Sequence, residues 1–167
     1  MAYQNKTYVA FDGDSDIHYF RLMQAWKQND NTPFNFHDAH GLNYSNDSSL
    51  RESILAQLRK RFDNTRRFVI LVGNNTKFLR KFVPWEIDQA LRRGLPIICV
   101  NLNGSRQIDY QLCPTTLQSE LAVHVPFQQK VLQYALEHWG DSHKQYAAAG
   151  KSGPYSYKPQ VYQQLGL

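Results

Sequence analysis

Short apolar runs alternate with amphipathic segments over the first 140 residues of the chain. The runs are rich in β-branched and aromatic residues, and they predict strands at Thr7–Phe11, Phe34–Phe36, Phe68–Val72, Pro96–Asn101 and Leu121–Val125. The segments between them carry apolar residues at helical spacing, and they predict helices at Ile17–Gln28, Ser49–Arg61, Pro84–Arg93 and Gln128–Trp139. Regular alternation of strand and helix is typical of βα units around a parallel sheet.

The central strands are predicted to be buried on both faces of the sheet. The runs FVILV and IICV are almost unbroken apolar sequences, as expected of parallel strands that helices cover on both sides. We therefore predict an α/β, flavodoxin-like, doubly wound and mainly parallel five-stranded sheet. In such open sheets, ligands bind beyond the carboxyl ends of the strands.

The composition of the chain changes near residue 140. We predict one domain over residues 1–140, because a chain of 167 residues with 42% hydrophobic content can form a single core. Residues 141–167 carry Gly, Pro and Ser, but they also hold four tyrosines, which is unusual in a linker. We predict an irregular tail that packs on the domain or on a neighbouring molecule.

The net charge of +5 raises the question of nucleic-acid binding. The basic clusters 59–61 and 92–93 fall at predicted helix C-termini, where cations stabilise the helix dipole, and no nucleic-acid-binding signature accompanies them. No apolar run approaches the roughly 20 residues that span a bilayer, and the N-terminal sequence lacks a signal-peptide pattern. We expect a cytoplasmic protein that binds neither nucleic acid nor membrane.

Metal binding is not predicted from the cysteines and histidines. Cys99 and Cys113 have no Cys or His near them at metal-ligand spacing and are expected to be reduced thiols. His37 and His40 stand near Asp38, but no distant third ligand accompanies them. We therefore expect no metal site.

Polar residues follow the predicted strands at the edge where ligands bind. Strand one ends in FDGDSD, strand two in FHDAHGLN and strand three in GNNTK. Helix capping is an equally simple explanation for some of these side chains. As a set, these loops contribute the candidate ligand-binding residues Asp12, Asp14, Asp38, His40 and Asn74.

The segment FVPWEIDQALRRG, from Phe82 to Gly94, places an acidic residue in the first turn of a helix. Pro84 suits the start of the helix, and Gly94 supplies a left-handed stop. Glu86 follows Trp85 directly and is expected to be exposed, where a carboxylate complements the helix macrodipole by roughly 0.3–1 kcal/mol. These residues alone leave a structural and a functional explanation open.

Five segments, taken in their order along the chain, carry a family resemblance. They are FDGDSD followed by Arg21 and Trp26, then DAHGLN, LVGNNTKFLRKFVPWEI, GLPIICVNLNG and VPFQQKVLQYALEHW. Together they resemble the TIR-like family of bacterial antiphage defence, in particular the TIR-like subunit of Thoeris systems. The resemblance covers roughly residues 6 to 139 and leaves the tail outside.

The resemblance implies an activity and a catalytic residue. The family is similar to TIR domains that cleave NAD at the nicotinamide glycosidic bond, using a glutamate in the segment that matches FVPWEI. This implies an NAD+ nucleosidase or ADP-ribosyl cyclase in which Glu86 is catalytic, with NAD as substrate and no separate cofactor. Members of the family make cyclic or otherwise modified ADP-ribose messengers after phage infection.

The resemblance also implies partners. The messenger activates a separate effector protein, which this chain reaches only through its nucleotide product. A phage-derived activator and a second copy of the chain are further candidate partners. Many TIR domains are instead scaffolds that work by self-association, so a non-enzymatic adaptor or nucleotide-binding module is the alternative.

The chemistry of the implied reaction gives a reason for a carboxylate at this position. Breaking the nicotinamide bond builds oxocarbenium character on the ribose, which a fixed anion stabilises. Phe11 and Trp85 are candidates for stacking on nicotinamide or adenine, although a core position explains them equally well. With His40, Tyr44 and Phe82 they predict a partly dry rim, which favours an acceptor other than water.

Overall fold

The computed structural model describes residues 7–28, 36–37 and 48–167. In these ranges strands and helices alternate along the chain. In order they are β1 (Thr7–Ala10), α1 (Ile17–Gln28), β2 (Phe36–His37), α2 (Ser48–Asp63), β3 (Arg67–Val72), α3 (Val83–Arg92), β4 (Ile97–Asn101), β5 (Ala122–Pro126), α4 (Gln129–Ala148), β6 (Pro154–Tyr155) and α5 (Pro159–Gln164).

All neighbouring strands of the sheet are parallel, and their order is β2-β1-β3-β4-β5-β6. β1 lies beside both β2 and β3, so the connections leave it in opposite directions. This point is the topological switch of a flavodoxin-like sheet, where a crevice opens at the carboxyl ends of the strands. The predicted α/β, doubly wound fold is confirmed, and the described residues form one more strand than the five expected.

Two apolar layers cover the two faces of the sheet. Because successive side chains of a strand point to opposite faces, Val9 and Phe11 pack in the layer with α1 and α4. Tyr8 and Ala10 pack in the other layer, with α2 and α3. Which layer a residue of β1 joins therefore decides which helices it can contact.

The predicted third helix is confirmed, together with its stop signal. It begins at Val83, so that Pro84 is its second residue, and its C-cap is Arg93. Gly94 has a φ of 63°, and the N–H groups of Gly94 and Leu95 donate to the carbonyls of Leu91 and Ala90, both at 3.1 Å. These two bonds form a Schellman motif, which satisfies carbonyl groups that a helix end leaves free.

The expectation of an irregular tail from residue 141 is wrong. α4 continues to Ala148, β6 pairs with β5, and α5 follows. The Tyr155 ring stacks on Tyr146 with 4.6 Å between ring centroids, and Tyr162 is buried in the layer with α1 and α4. The tyrosines supply the apolar surface that orders a segment whose glycines and prolines predicted a loop.

β2 includes residue 36 of the strand predicted at 34–36 and extends to residue 37, while residues 34–35 lie outside the described ranges.

None of the helices in the described ranges has both the length and the apolar character needed to cross a membrane.

Candidate functional site

Glu86 occupies the first turn of α3, and its side chain is buried. The residue is 2% exposed, and its N–H donates to the Phe82 carbonyl at 2.8 Å. The expectation of an exposed first-turn carboxylate is therefore wrong. A modest interaction with the helix macrodipole would explain a glutamate at a solvated helix end, but it does not explain a buried one.

The buried position of Glu86 makes its charged form costly. Burial raises the pKa of the Glu86 carboxyl from its ordinary value of 4.5 to about 7, while an interaction with the Tyr8 hydroxyl opposes the rise. Burial thus favours the protonated form of this carboxyl more strongly than in an exposed glutamate. A titratable group shifted in this way by desolvation is a candidate functional group, and a positive charge formed beside it would favour its ionised form.

Tyr8, on β1, is buried in the layer that also contains α2 and α3. Burial, followed by the charge of Glu86, raises the pKa of the Tyr8 hydroxyl well above its usual value. Nothing in the sequence pattern pointed to Tyr8, because an aromatic residue inside a strand predicts core packing. The alternation along β1 was the available signal, since it places residues 8 and 10 on one face.

Trp85 lies beside Glu86 and packs against α2. Its half-buried ring meets Phe62 edge-on, with ring centroids 5.8 Å apart. The Arg59 guanidinium lies 5.7 Å from the centroid of the Trp85 ring. Stacking of a nicotinamide or adenine ring on Trp85 stays a prediction, and a ligand ring on the Arg59 side would have to displace that side chain.

Phe11 does not share a pocket with Trp85. Its ring is 5% exposed and stacks on Phe20 at 4.7 Å between centroids. It belongs to the layer with α1 and α4, on the face of the sheet opposite to Glu86 and Trp85. The core explanation therefore accounts for Phe11. Phe82, also placed on the predicted rim, is buried in the layer with α2 and α3.

Asp12 and Asp14 have different surroundings in the turn after β1. Asp12 is buried, and its Oδ1 accepts hydrogen bonds from the N–H groups of Asp14 at 3.1 Å and Ser15 at 3.4 Å. It thus organises the turn that leads into α1. Asp14 is exposed, so its carboxylate is the more accessible of the two for a ligand.

Asp16 connects this turn to the loop after β3. Its carboxylate is buried and fills the space that a side chain at Gly73 would need, so that a Cβ atom there would collide with Asp16 Oδ2. Burial and then the charge of Asp12 raise the pKa of Asp16. A side chain at residue 73 would therefore force Asp16 to move where the two loops approach each other at the switch point.

The loop after β3 presents Asn74 at the same edge. The Gly73 N–H donates to Thr76 Oγ1 at 2.9 Å, and Asn75 Nδ2 donates to Ser15 Oγ at 3.1 Å. These bonds fix the loop against the turn after β1, and Asn74 is exposed. The predicted meeting of polar loops after β1 and β3 is confirmed, whereas ligand binding by Asn74 stays a prediction.

The remaining candidates cannot be placed in the same way. Asp38, His40 and Tyr44 lie outside the described residues. Within the described ranges, no group of three or more His, Cys, Asp or Glu side chains is arranged to hold a metal ion. Among the described residues, Glu86 and Tyr8 are buried, whereas Asp14 and Asn74 are exposed in the loops after β1 and β3. That these side chains form one site stays a prediction.

The fold and this site define a TIR-like α/β domain, in which the helix after β3 carries a buried glutamate. The family model of the Thoeris protein ThsB, TIR-like domain, matches residues 8–107. The chain belongs to this family, and the predicted resemblance is confirmed. The matched span includes Tyr8, Glu86 and the loops of the switch point. No curated protein matches the chain significantly. Family membership supports a role in Thoeris-type antiphage defence.

Proposed function

We propose that this protein is the NAD-cleaving enzyme of a Thoeris-type defence system. It breaks the nicotinamide–ribose bond and makes a cyclic or otherwise modified ADP-ribose messenger, which activates a separate effector protein. The observation that carries the proposal is the burial of Glu86 in a domain of this family. A cytoplasmic location is part of the proposal, because NAD is a cytoplasmic metabolite.

Glu86 has the role of stabilising positive charge on the ribose. When the C–N bond breaks, nicotinamide leaves with the bonding electron pair as a neutral pyridine, and the ribose acquires oxocarbenium character. Restoring the Glu86 pKa from about 7 to its ordinary 4.5 beside this charge corresponds to about 3 kcal/mol. Burial makes the carboxylate a poorly solvated anion, which a developing cation satisfies.

The rim residues bind the substrate in this proposal. Asp14 and Asn74 are exposed at the sheet edge, where a carboxylate and an amide accept hydrogen bonds from ribose hydroxyls. Trp85 supplies an aromatic surface next to Glu86. Asp38 and His40, from the segment after β2, stay predicted pocket-lining residues. Phe11 is not among the proposed substrate-binding residues, because its ring stacks on Phe20 in the layer on the opposite face of the sheet.

The product is proposed to form by attack of a nucleophile other than water. A low-solvation environment around Glu86 favours a chosen acceptor over bulk water. If the acceptor is a hydroxyl of the same NAD molecule, the product is a cyclic isomer. If it is another small metabolite, the product is a conjugate.

The test is incubation of the protein with NAD, with and without lysate from phage-infected cells, and identification of the products by mass spectrometry. Glu86→Gln keeps the size of the side chain but removes the anion, so it should abolish cleavage. Glu52→Gln is the matched control, because Glu52 is exposed on α2 and should retain full activity. Linear ADP-ribose as essentially the only product would show that water is the acceptor.

The same variants separate this proposal from its alternative. If the protein is a non-enzymatic adaptor or nucleotide-binding module, phage protection should survive Glu86→Gln and should fail when a self-association surface is altered. Cleavage retained by a folded Glu86→Gln protein would refute the catalytic assignment.

A further inference from the structure

We propose that the loop between β3 and α3, residues 73–82, binds the ADP half of NAD. Lys77 and Arg80 hold the diphosphate, and the Phe78 ring stacks on the adenine. This inference rests on the proposed function and deepens it, because bond cleavage takes place in the nicotinamide half of the same molecule. The loop would therefore select a dinucleotide over the smaller nicotinamide riboside.

The loop lies at the edge of the sheet where ligands bind. β3 runs parallel to β1 and β4, so its carboxyl end and the loop that follows lie at the same edge as the turn after β1. Ligands of open α/β sheets bind at this edge. The loop leads directly into α3, the helix that carries Glu86. It thus connects the switch point to the segment that holds the proposed catalytic residue.

The loop carries cations and contains no carboxylate. Its charged residues are Lys77, Arg80 and Lys81. Lys77 and Arg80 are exposed, and neither forms an ion pair with another described residue. By contrast, Arg92 and Arg93 at the other end of α3 each pair with a carboxylate of the protein. The two loop cations suit a diphosphate, which a guanidinium binds in a bidentate manner and an ammonium binds as a point charge.

Phe78 supplies an aromatic surface beside these cations. It is 64% exposed, whereas the other apolar residues of the loop, Leu79 and Phe82, pack in the layer with α2 and α3. A single exposed apolar residue is common on protein surfaces, but here the Lys77 ammonium lies 5.1 Å from the centroid of the Phe78 ring. An aromatic ring beside cations is a combination that binds nucleotides, since the base stacks on the ring while the cations contact the phosphates.

Hydrogen bonds fix the first part of the loop. Thr76 is 1% exposed, and its Oγ1 accepts a hydrogen bond from the Gly73 N–H at 2.9 Å. The Phe78 N–H donates to the Asn75 carbonyl at 3.0 Å, which closes a single 3₁₀ turn. Asn75 Nδ2 donates to Ser15 Oγ at 3.1 Å and joins the loop to the turn after β1. A loop that its own hydrogen bonds order loses less conformational entropy on binding.

The size of the patch favours a nucleotide over a macromolecular partner. One exposed aromatic ring and two cations match one base and one diphosphate, whereas a stable protein interface uses about 20–30 residues on each side. The position of the loop next to α3 supplies the link to NAD in particular. A nucleic acid or an acidic protein segment would use the same chemistry, and binding measurements with each distinguish them from the dinucleotide.

The test measures the binding of ADP-ribose, which keeps the ADP half of NAD and lacks nicotinamide. Calorimetry compares the wild type with the double variant Lys77→Gln/Arg80→Gln and with Phe78→Leu. All three residues are exposed, so these variants should fold as the wild type does, which thermal unfolding checks.

Matched controls carry the same kinds of chemical change outside the loop. Lys60→Gln/Lys144→Gln removes exposed cations from α2 and α4, and Tyr110→Leu removes an exposed aromatic ring after β4. The same proteins are titrated with a single-stranded oligonucleotide and with an acidic peptide. KM and kcat are measured for NAD and for nicotinamide riboside, which has no ADP half.

We expect Lys77→Gln/Arg80→Gln to bind ADP-ribose about tenfold more weakly, because charge-assisted contacts to the diphosphate are lost. Phe78→Leu should bind it several-fold more weakly. The KM for NAD should rise by similar factors with little change in kcat, as for contacts made equally in the ground state and the transition state. The KM for nicotinamide riboside and the affinities of the control variants should not change. Added salt should narrow the difference between the wild type and the double variant.

Three results overturn the inference. The first is an ADP-ribose affinity that is the same in Lys77→Gln/Arg80→Gln and in the wild type, or a wild type that does not bind ADP-ribose. The second is an equal loss in the double variant and in its control, which would assign the effect to net charge alone. The third is loss of oligonucleotide or peptide binding with ADP-ribose binding unchanged, which would assign the loop to a macromolecule.

Failure of this inference can be distinguished from failure of the proposed function. If the wild type binds ADP-ribose through the loop but cleaves no NAD, the proposed function fails and the assignment of the loop stands. If Glu86→Gln abolishes cleavage while the loop variants keep the wild-type KM for NAD, only the inference about the loop fails.

Discussion

The burial of Glu86 predicts that removing its charge stabilises the folded protein at neutral and alkaline pH. The folded-state pKa is about 7 and the ordinary value is 4.5. Between these two values the folded chain keeps a proton that the unfolded chain has lost. The free energy of unfolding therefore falls as pH rises through this window. This pH-dependent decrease should be absent in Glu86→Gln.

The magnitude follows from the same two values. A difference between about 7 and 4.5 corresponds to about 3 kcal/mol once the pH exceeds both. At pH 4 both side chains are neutral, and the two proteins should differ by less than about 1 kcal/mol, as for other conservative changes. By pH 8.5 Glu86→Gln should be the more stable protein by about 3 kcal/mol. An exposed first-turn glutamate would instead lose stability on this change.

The assay is urea denaturation at a series of pH values from 4 to 8.5, with a common m-value as the check on two-state behaviour. Other titrating groups affect both proteins alike, so the difference between the two curves isolates Glu86. Glu52→Gln, at an exposed site, controls for the chemical change. A difference that does not vary with pH, or a Gln variant less stable than the wild type at pH 8.5, would refute the reasoning.

Three further predictions concern other parts of the site and core. Gly73→Ala should lower stability by about 1–3 kcal/mol, since its Cβ would collide with Asp16; thermal unfolding should show a smaller loss in an Asp16→Ser background, and an equal loss would argue against the contact. Burial lowers the pKa of His124 to about 4 from 6.5, so stability should fall as pH drops from 6.5 towards 4, and urea denaturation of His124→Leu should lack this component. Trp85→Ala should weaken NAD binding several-fold in calorimetry if its ring stacks on the ligand, and unchanged affinity in a folded variant would remove Trp85 from the site.

Elements with strong local signals could be predicted from the sequence. The runs at β3 and β4 are apolar on both faces, and α3 carries a proline near its start and a glycine after its end. These signals act within a few residues, so no knowledge of distant contacts is needed. Residues 141–167 lacked such signals, because the formation of β6 and α5 depends on tyrosine packing against α4 and the core.

That Phe11 and Trp85 lie on opposite faces of the sheet could be seen only from the way in which the helices cover those faces. Both residues flank polar loops at the same sheet edge, which is why they were expected to line one pocket. Strand alternation assigns Phe11 to the face of Val9, but only the packing shows that α3 covers the face of Tyr8. Residues close to one edge can thus belong to opposite layers, and sequence proximity to a loop does not define a pocket.

The helical spacing of α3 already indicates that Glu86 is buried, although the sequence alone led us to expect an exposed side chain. The buried residues of α3 are Val83, Glu86, Ile87 and Ala90, which repeat at the three- and four-residue steps of one helix face. The same period that predicts an apolar stripe places the carboxylate within it. A charged side chain on such a stripe lowers stability, so an explanation based on helix stability alone fails for this residue. Functional sites commonly retain such destabilising groups, and this is the physical argument that favours a catalytic role for Glu86.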